Sequence, residues 1–222
     1  MASPPKRVIT QDRLRSAVQN LLLETDWSEI TVQHVSANAG VSIGTFYNYY
    51  DSKDEALADV RQSLSLVIKK DLNSLISTQT SVEARISLLL KYFVNVLNTK
   101  PTWANYFYKA DNFSERLEGG LASLLEPLVL ESILSQKGHV NDAKMTASFI
   151  ENGVFPLLKE YHASRKTLPE QEATQIVVLA LSSMGISGDK LLHAGNLVCP
   201  VTPLASLPQS ILELEKTQAG YV

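Results

Sequence analysis

Between Thr31 and Leu57 the chain reads TVQHVSANAGVSIGTFYNYYDSKDEAL, and this stretch limits the possible folds more than any other. Val32, Val35 and Ala39 recur at helical spacing, the pattern stops at Gly40, and a second short pattern follows from Ser42. Gly40 suits a tight turn between two helices, because glycine enters the left-handed backbone region without steric cost. Thr31 and Ser42 stand where an N-cap hydroxyl accepts from a free N–H of each helix. Two helices joined by a turn of three or four residues make a helix-turn-helix, whose second helix enters the DNA major groove. Phe46 and Tyr50, four residues apart, would pack inward on a preceding helix, which leaves Tyr47, with Tyr49 beside it, to face phosphate.

Helical periodicity continues on both sides. Leu14, Ala17, Val18, Leu21 and Leu22 form one broad face, predicting a first helix capped by Thr10 and ending near Thr25-Asp26-Trp27. Ser52 would cap a fourth helix from Lys53 to about Ser74. Further helical patterns cover about 82–98, 102–110, 113–136, 142–166 and 170–194, separated by Pro101, Gly138 and Pro169. Residues 195–208, with Pro200, Pro203 and Pro208, read as a loop before a last helix carrying Ile211, Leu212 and Leu214. No alternating strand pattern of useful length occurs. The expected class is all-α: an N-terminal three-helix unit, 1–52, and a larger helical body, 53–222, with the helix of residues 53–74 connecting the two.

Composition removes several alternatives. A 222-residue chain that is 45% hydrophobic can bury a substantial core. Cys199 is the sole cysteine and cannot form an internal disulfide, the start MASPPKR lacks the apolar stretch of a secretory signal, and the reducing cytoplasm fits best. No apolar run is long enough to span a bilayer, so no membrane partner is expected. The net charge of −3 argues weakly against nucleic acid, but up to Leu23 the cations Lys6, Arg7, Arg13 and Arg15 face one acid, Asp12. Ser42 to Tyr50 carries no charge, so DNA affinity would start from the N-terminal arm.

The stretch, with its flanks over roughly residues 10 to 60, closely resembles the N-terminal DNA-binding signature of the TetR family of transcriptional regulators. In that signature a Thr opens helix two, Gly-Val-Ser forms the turn, Thr-Phe-Tyr lies on the recognition helix, and an aromatic precedes Ser-Lys at the start of helix four. The resemblance implies a homodimer whose C-terminal ligand-binding and dimerisation domain takes a small-molecule effector and releases double-stranded operator DNA when occupied. Carried over by position, it makes Thr31, Ser42, Thr45, Tyr47 and Lys53 phosphate or backbone contacts, with Ile43, Gly44, Thr45 and Asn48 nearest the base edges. Two departures stand out: the family often has His or Tyr then Phe where Tyr49-Tyr50 stand, and its leucine comes three residues after the lysine, where Ala56 stands.

The chemistry of these residue types agrees with those roles. The Tyr47 hydroxyl suits a phosphate oxygen, and Lys53 in a first helical turn would add charge to N–H groups that already favour an anion. Asn48 can bond an adenine edge twice, and Ile43 or the Thr45 methyl can touch a thymine methyl. With no arginine on the recognition helix, direct reading of guanine is limited, and Lys6-Arg7 would read the minor groove instead. The structural alternatives stay open: Ser42 as a cap alone, Lys53 as a solvated lysine.

In the body, YFVNVLNTKPTWANYFYKADNF concentrates rings between Tyr92 and Phe113. Tyr92, Trp103, Tyr106, Phe107 and Phe149 are candidate walls of a pocket for a hydrophobic or aromatic ligand, or else members of an aromatic core. The patterns at 142–166 and 170–194 are the dimer seam that the resemblance implies. The small residues Ala180, Ser183, Gly185, Ser187 and Gly188 fit close helix approach, and a helix break near Gly185 explains them equally well. His34, His139, His162 and His193 are scattered without metal-ligand spacing, and no catalytic or cofactor motif occurs, so no metal, cofactor or enzymatic activity is expected. The alternative function is an all-α enzyme or small-molecule-binding protein that keeps the helix-turn-helix shape without using DNA.

Overall fold

The computed structural model describes residues 5–135 and 139–213. Among these residues every regular element is helical. The α-helices are α1 (Lys6–Glu24), α2 (Val32–Ala39), α3 (Ile43–Tyr47), α4 (Lys53–Ile76), α5 (Val82–Thr99), α6 (Pro101–Tyr108), α7 (Ala122–Leu134), α8 (Ala143–Ala163), α9 (Glu170–Ser183) and α10 (Gly188–Gly195). Short 3-10 turns stand at Trp27–Glu29 and Phe113–Glu115, and a last helical turn begins at Ile211. The all-α class read from periodicity is therefore the observed one. Gly138 and Leu214, used above as a separator and a last-helix residue, lie outside the described residues.

The chain divides into two compact units, one running to Val67 and resuming at Ala205, the other Ile68–Leu204. The division thus falls within α4 rather than at 52/53, and the segment from Ala205 on belongs with the first unit. Side-chain satisfaction explains that membership. Gln19, fully buried on α1, donates from Nε2 to the Gln209 carbonyl at 2.9 Å and accepts the Gln209 N–H at 2.8 Å. Asp12 accepts from the Ser210 hydroxyl at 2.7 Å and the Leu212 N–H at 3.1 Å. A buried amide requires such partners, and no local segment supplies them.

In the first unit α1 starts directly after Pro5, earlier than the Thr10 cap expected from sequence. Thr10 lies inside the helix, its hydroxyl donating back to the Lys6 carbonyl at 3.0 Å. Lys6 and Arg7 are consequently the first turn of a helix and not an extended arm. Leu14, Ala17, Val18 and Leu22 of α1 form the unit's core with Ile30, Val35, Phe46 and Tyr50.

In the second unit α5 is buried over nearly its whole circumference and packs against α6, α7, α8, α9 and α10. Such a helix reads as apolar all round because neighbours cover every face. Two charged residues, Glu83 and Lys91, are buried on it; Lys91 donates to the Glu170 carboxylate at 2.5 Å and to the Leu197 carbonyl at 2.8 Å.

Two long helices expected from pattern are broken in the structure. The 113–136 pattern is interrupted at Gly119 and Gly120, φ +77° and +67°, before α7 begins. The Glu151 carboxylate of α8 then caps that new helix by accepting the Ala122 N–H. The 170–194 pattern breaks after Ser183, where Gly185 has φ +84° and a β-carbon would come 2.6 Å from the His139 ring. The glycine at 185 thus serves the helix break, the second of the two readings.

Candidate nucleic-acid interface

Local chemistry builds the helix-turn-helix. The Thr31 hydroxyl accepts the His34 N–H at 3.2 Å, and the His34 imidazole accepts the Thr31 N–H at 3.4 Å, a reciprocal capping box that starts α2. Gly40 ends it in the left-handed region, φ +64°, and Arg13 of α1 donates to its carbonyl at 3.3 Å. Ser42 caps α3 by accepting the Thr45 N–H at 3.0 Å, and its hydroxyl lies 2.9 Å from that of Thr45. Ser52 caps α4 in the same way, accepting the Glu55 N–H at 3.1 Å.

This frame sorts the aromatic run by face. Phe46 and Tyr50 are buried with ring centroids 5.6 Å apart, whereas Tyr47 is 54% exposed and meets the Phe46 ring only edge-on. Ile43 is 45% exposed, and Thr31, Ser42, Gly44 and Asn48 are exposed too, while Thr45 is half-buried beside its cap. Six of the eight expected contacts thus lie between Ser42 and Asn48, within a run that carries no charged side chain from Ser42 to Tyr50, and Thr31 stands at the N-cap of α2.

Lys53 is differently placed. Its ammonium donates to the carbonyls of Trp27 at 2.9 Å and Ile30 at 2.7 Å, and lies 5.4 Å from the Trp27 ring centroid. The indole N–H in turn donates to Asp54 at 2.9 Å. Two of the three ammonium protons are therefore engaged in tying the 3-10 turn to the start of α4.

Sequence reasoning missed the group that orients α3. Arg15 holds Asp59 bidentately, with Nε and Nη2 each donating at 2.8 Å, and the Tyr50 hydroxyl donates to the same carboxylate at 2.6 Å. Burial alone would raise the Asp59 pKa, but the Arg15 and Tyr50 hydrogen bonds and the Arg15 charge outweigh it and hold the carboxyl below its usual range. The Tyr50 hydroxyl is pushed well above its usual range, first by burial and then by Asp59. The available signal was Asp59 itself, an acid three residues after Ala56 and one before Val60 on the inward stripe of α4. Arg15 thereby leaves the exposed basic set, which on α1 becomes Lys6, Arg7 and Arg13.

Four of the five candidate pocket residues meet in one aromatic cluster, and Phe149 stands apart from it. Tyr92, Trp103, Tyr106 and Phe107 are buried completely or almost so among other rings. Phe107 stacks on Phe113 at 5.1 Å, and the Tyr106 and Tyr108 hydroxyls donate to the carbonyls of Arg116 and Phe93. Phe149 is instead 69% exposed and lines an open apolar groove of about 390 Å3 between α8 and α9, with Gly153, Leu157, Ile176 and Leu179. Among the described residues no group of three His, Cys, Asp or Glu side chains could hold a metal ion, and no helix is long and apolar enough to cross a membrane.

A capped helix, a left-handed glycine turn and a short second helix with an exposed outer face define a helix-turn-helix protein with a separate helical body. Residues 15–60 match the family model described as bacterial regulatory proteins, tetR family. Its fold is shared by RolR in complex with resorcinol (TM-score 0.68, 14% identity, covering 88% of this chain and 97% of that one). It is shared as well by SmeT, the repressor of the Stenotrophomonas maltophilia multidrug efflux pump SmeDEF (TM-score 0.63, 13% identity, 89% and 97%). A third similar structure is FadR from Bacillus subtilis in complex with stearoyl-CoA (TM-score 0.59, 15% identity, 84% and 98%). No curated protein sequence matches the chain.

Proposed function

We propose that the chain is a homodimeric transcriptional repressor whose binding to operator DNA is controlled by a small hydrophobic or aromatic effector. The observation that carries the DNA reading is the outer face of α3: Ile43, Tyr47 and Asn48 stand exposed beside two hydroxyl-capped helix starts, while the inward rings are buried. Helix N-termini and a rigid tyrosine hydroxyl position phosphates, and Asn48, Ile43 and the Thr45 methyl read base edges. Lys6 and Arg7 support this reading, since two cations in the first turn of α1 oppose the helix dipole unless an anion compensates them. Lys53 contributes mainly by holding the turn beneath α4. The covalent route from reader to body is α4, and an effector acts by preferring one of two dimer geometries. The resorcinol and stearoyl-CoA held by proteins of similar fold support a small-molecule effector for this one.

Fluorescence anisotropy with the DNA flanking the coding region, at two salt concentrations, tests the reading. Wild-type protein should bind tightly and lose affinity as salt rises. Tyr47→Phe removes only an exposed hydroxyl, so it should weaken binding by about 1.5–3 kcal/mol with the melting temperature unchanged. Affinity equal to that for random DNA, or an unaffected variant, would leave the second unit as a binding protein that does not use DNA.

The α8–α9 groove supports the dimer. Phe149 and Leu179 are large apolar side chains left more than 60% exposed along it, and a β-carbon added at Gly153 would meet nothing within 4 Å. Leu179→Glu would place a charge in that face twice per dimer, at several kcal/mol of desolvation. Sedimentation should then show monomer at micromolar concentration where the wild type is dimeric, and an unchanged dimer would move the interface elsewhere.

A further inference from the structure

The C-terminus of α8 is closed by a Schellman arrangement. The Arg165 N–H donates to the His162 carbonyl at 3.0 Å, and the Lys166 N–H reaches back to the Tyr161 carbonyl at 3.1 Å. Arg165 consequently occupies the left-handed position, φ +54°, where glycine is usual, and it is the one non-glycine residue with positive φ among those described. Backbone strain of this kind persists only where the surroundings impose it, and it gathers at binding sites. Asn98 of α5 holds the chain three residues further on, its amide donating to the Leu168 carbonyl at 2.9 Å and accepting the Leu168 N–H at 3.0 Å.

The turn so fixed walls a cleft of about 220 Å3 between the end of α5, the start of α6 and the end of α8. Arg165, Lys166, His162, Asn105, Asn98 and Thr167 supply its polar lining, and Leu97 and Pro101 are apolar surface within it. No carboxylate lines the cleft, and neither Arg165 nor Lys166 has an ion pair with any described residue. The His162 Nε2 lies 2.9 Å from the Asn105 Oδ1, and the imidazole is held toward its neutral form first by burial and then by the Lys109 charge. The first turn of α6, which opens at Pro101 on the same cleft, has no side-chain cap.

We propose that this cleft binds a small organic oxyanion, a carboxylate or phosphate monoester carrying a short apolar body. The Arg165 guanidinium offers a planar fork that matches two oxygens of either group, and Lys166 adds a point charge. Leu97 and Pro101 receive the apolar body. The site is distinct from the aromatic core and from the α8–α9 groove. Its binding chemistry stands apart from the regulatory reading, whereas its use as the effector site rests on that reading.

Isothermal titration of the full chain at neutral pH with benzoate, phenyl phosphate and uncharged phenol tests the assignment. At least one of the two anions should bind saturably while phenol does not, and the tighter of the two identifies the oxyanion. Arg165→Gly should weaken that binding at least tenfold and, by relieving strain, raise the melting temperature by about 2 to 4 °C. Lys166→Ala should weaken it severalfold with the melting temperature unchanged. Failure of both anions to bind up to about 10 mM overturns the proposal. So does an Arg165→Gly variant that binds them as the wild type does, since the two cations would then serve only the α8 helix dipole. Anion binding that leaves operator affinity unchanged removes the effector role alone.

Discussion

Replacing Asp59 by alanine should cost the helix-turn-helix unit about 3 kcal/mol, the largest loss expected from any single polar change in it. The substitution leaves Arg15 with a largely buried guanidinium and removes the acceptor of the Tyr50 hydroxyl. Three elements meet at that carboxylate: α1 through Arg15, the residues just after α3 through Tyr50, and α4 through Asp59. Thermal unfolding followed by circular dichroism would report the loss, and operator affinity should fall with it although Asp59 faces no DNA. The effect should also depend on pH. Since the folded-state pKa of Asp59 is depressed, its contribution is fully present above the unfolded value of about 4 and disappears as pH falls through the folded one. Wild type and variant should therefore converge in stability in acid and differ most near neutrality; a constant difference down to the lowest pH would assign the effect to packing.

Trp103→Ala should lower the stability of the second unit by about 3–5 kcal/mol, as expected when a fully buried indole is deleted from a close-packed core. Trp103 meets Tyr106 edge-on and lies tilted on Phe107, each at 5.8 Å between centroids. These rings are joined to Phe93, Phe113 and Phe155 in one cluster. A ring that lined a cavity would instead be removed at little cost in stability while abolishing the response to an aromatic effector. Melting temperature and effector response measured on the same variant distinguish a core residue from a pocket wall, and the packing predicts that the melting temperature is what changes.

The contrast between these sites shows what a sequence reveals. Thr31, Ser42, Ser52 and Gly40 were legible because a cap or a turn is decided within three or four residues, and the hydroxyl or glycine is itself the signal. The inward Phe46 and Tyr50 were legible because helical spacing fixes a face. Thr10 misled because a cap-forming residue followed by an apolar stripe looks alike at a helix start and one turn inside it. Gly119-Gly120 and Gly185 broke helices whose apolar period runs through them, since the period records burial on either side and not continuity of the backbone. Arg15 with Asp59, and Lys53 with the carbonyls of the 3-10 turn, are partnerships across tens of residues, and no local pattern encodes them. The same distance hid the cleft at Arg165, whose unusual backbone is visible only once its φ is known.

The bonds from Gln209, Ser210 and Leu212 to α1 carry a consequence for the order in which the protein can be made. Synthesis proceeds from the N-terminus, so all of α2, α3 and α4 leave the ribosome long before the residues that satisfy Gln19 and Asp12. Until residues 205–213 emerge, the nascent chain carries the five residues of α3, too short to form a helix alone, and a Gln19 amide without the Gln209 partners it has in the folded protein. The whole second unit is translated in that interval. The first unit is thus completed only after the second unit has been translated in full.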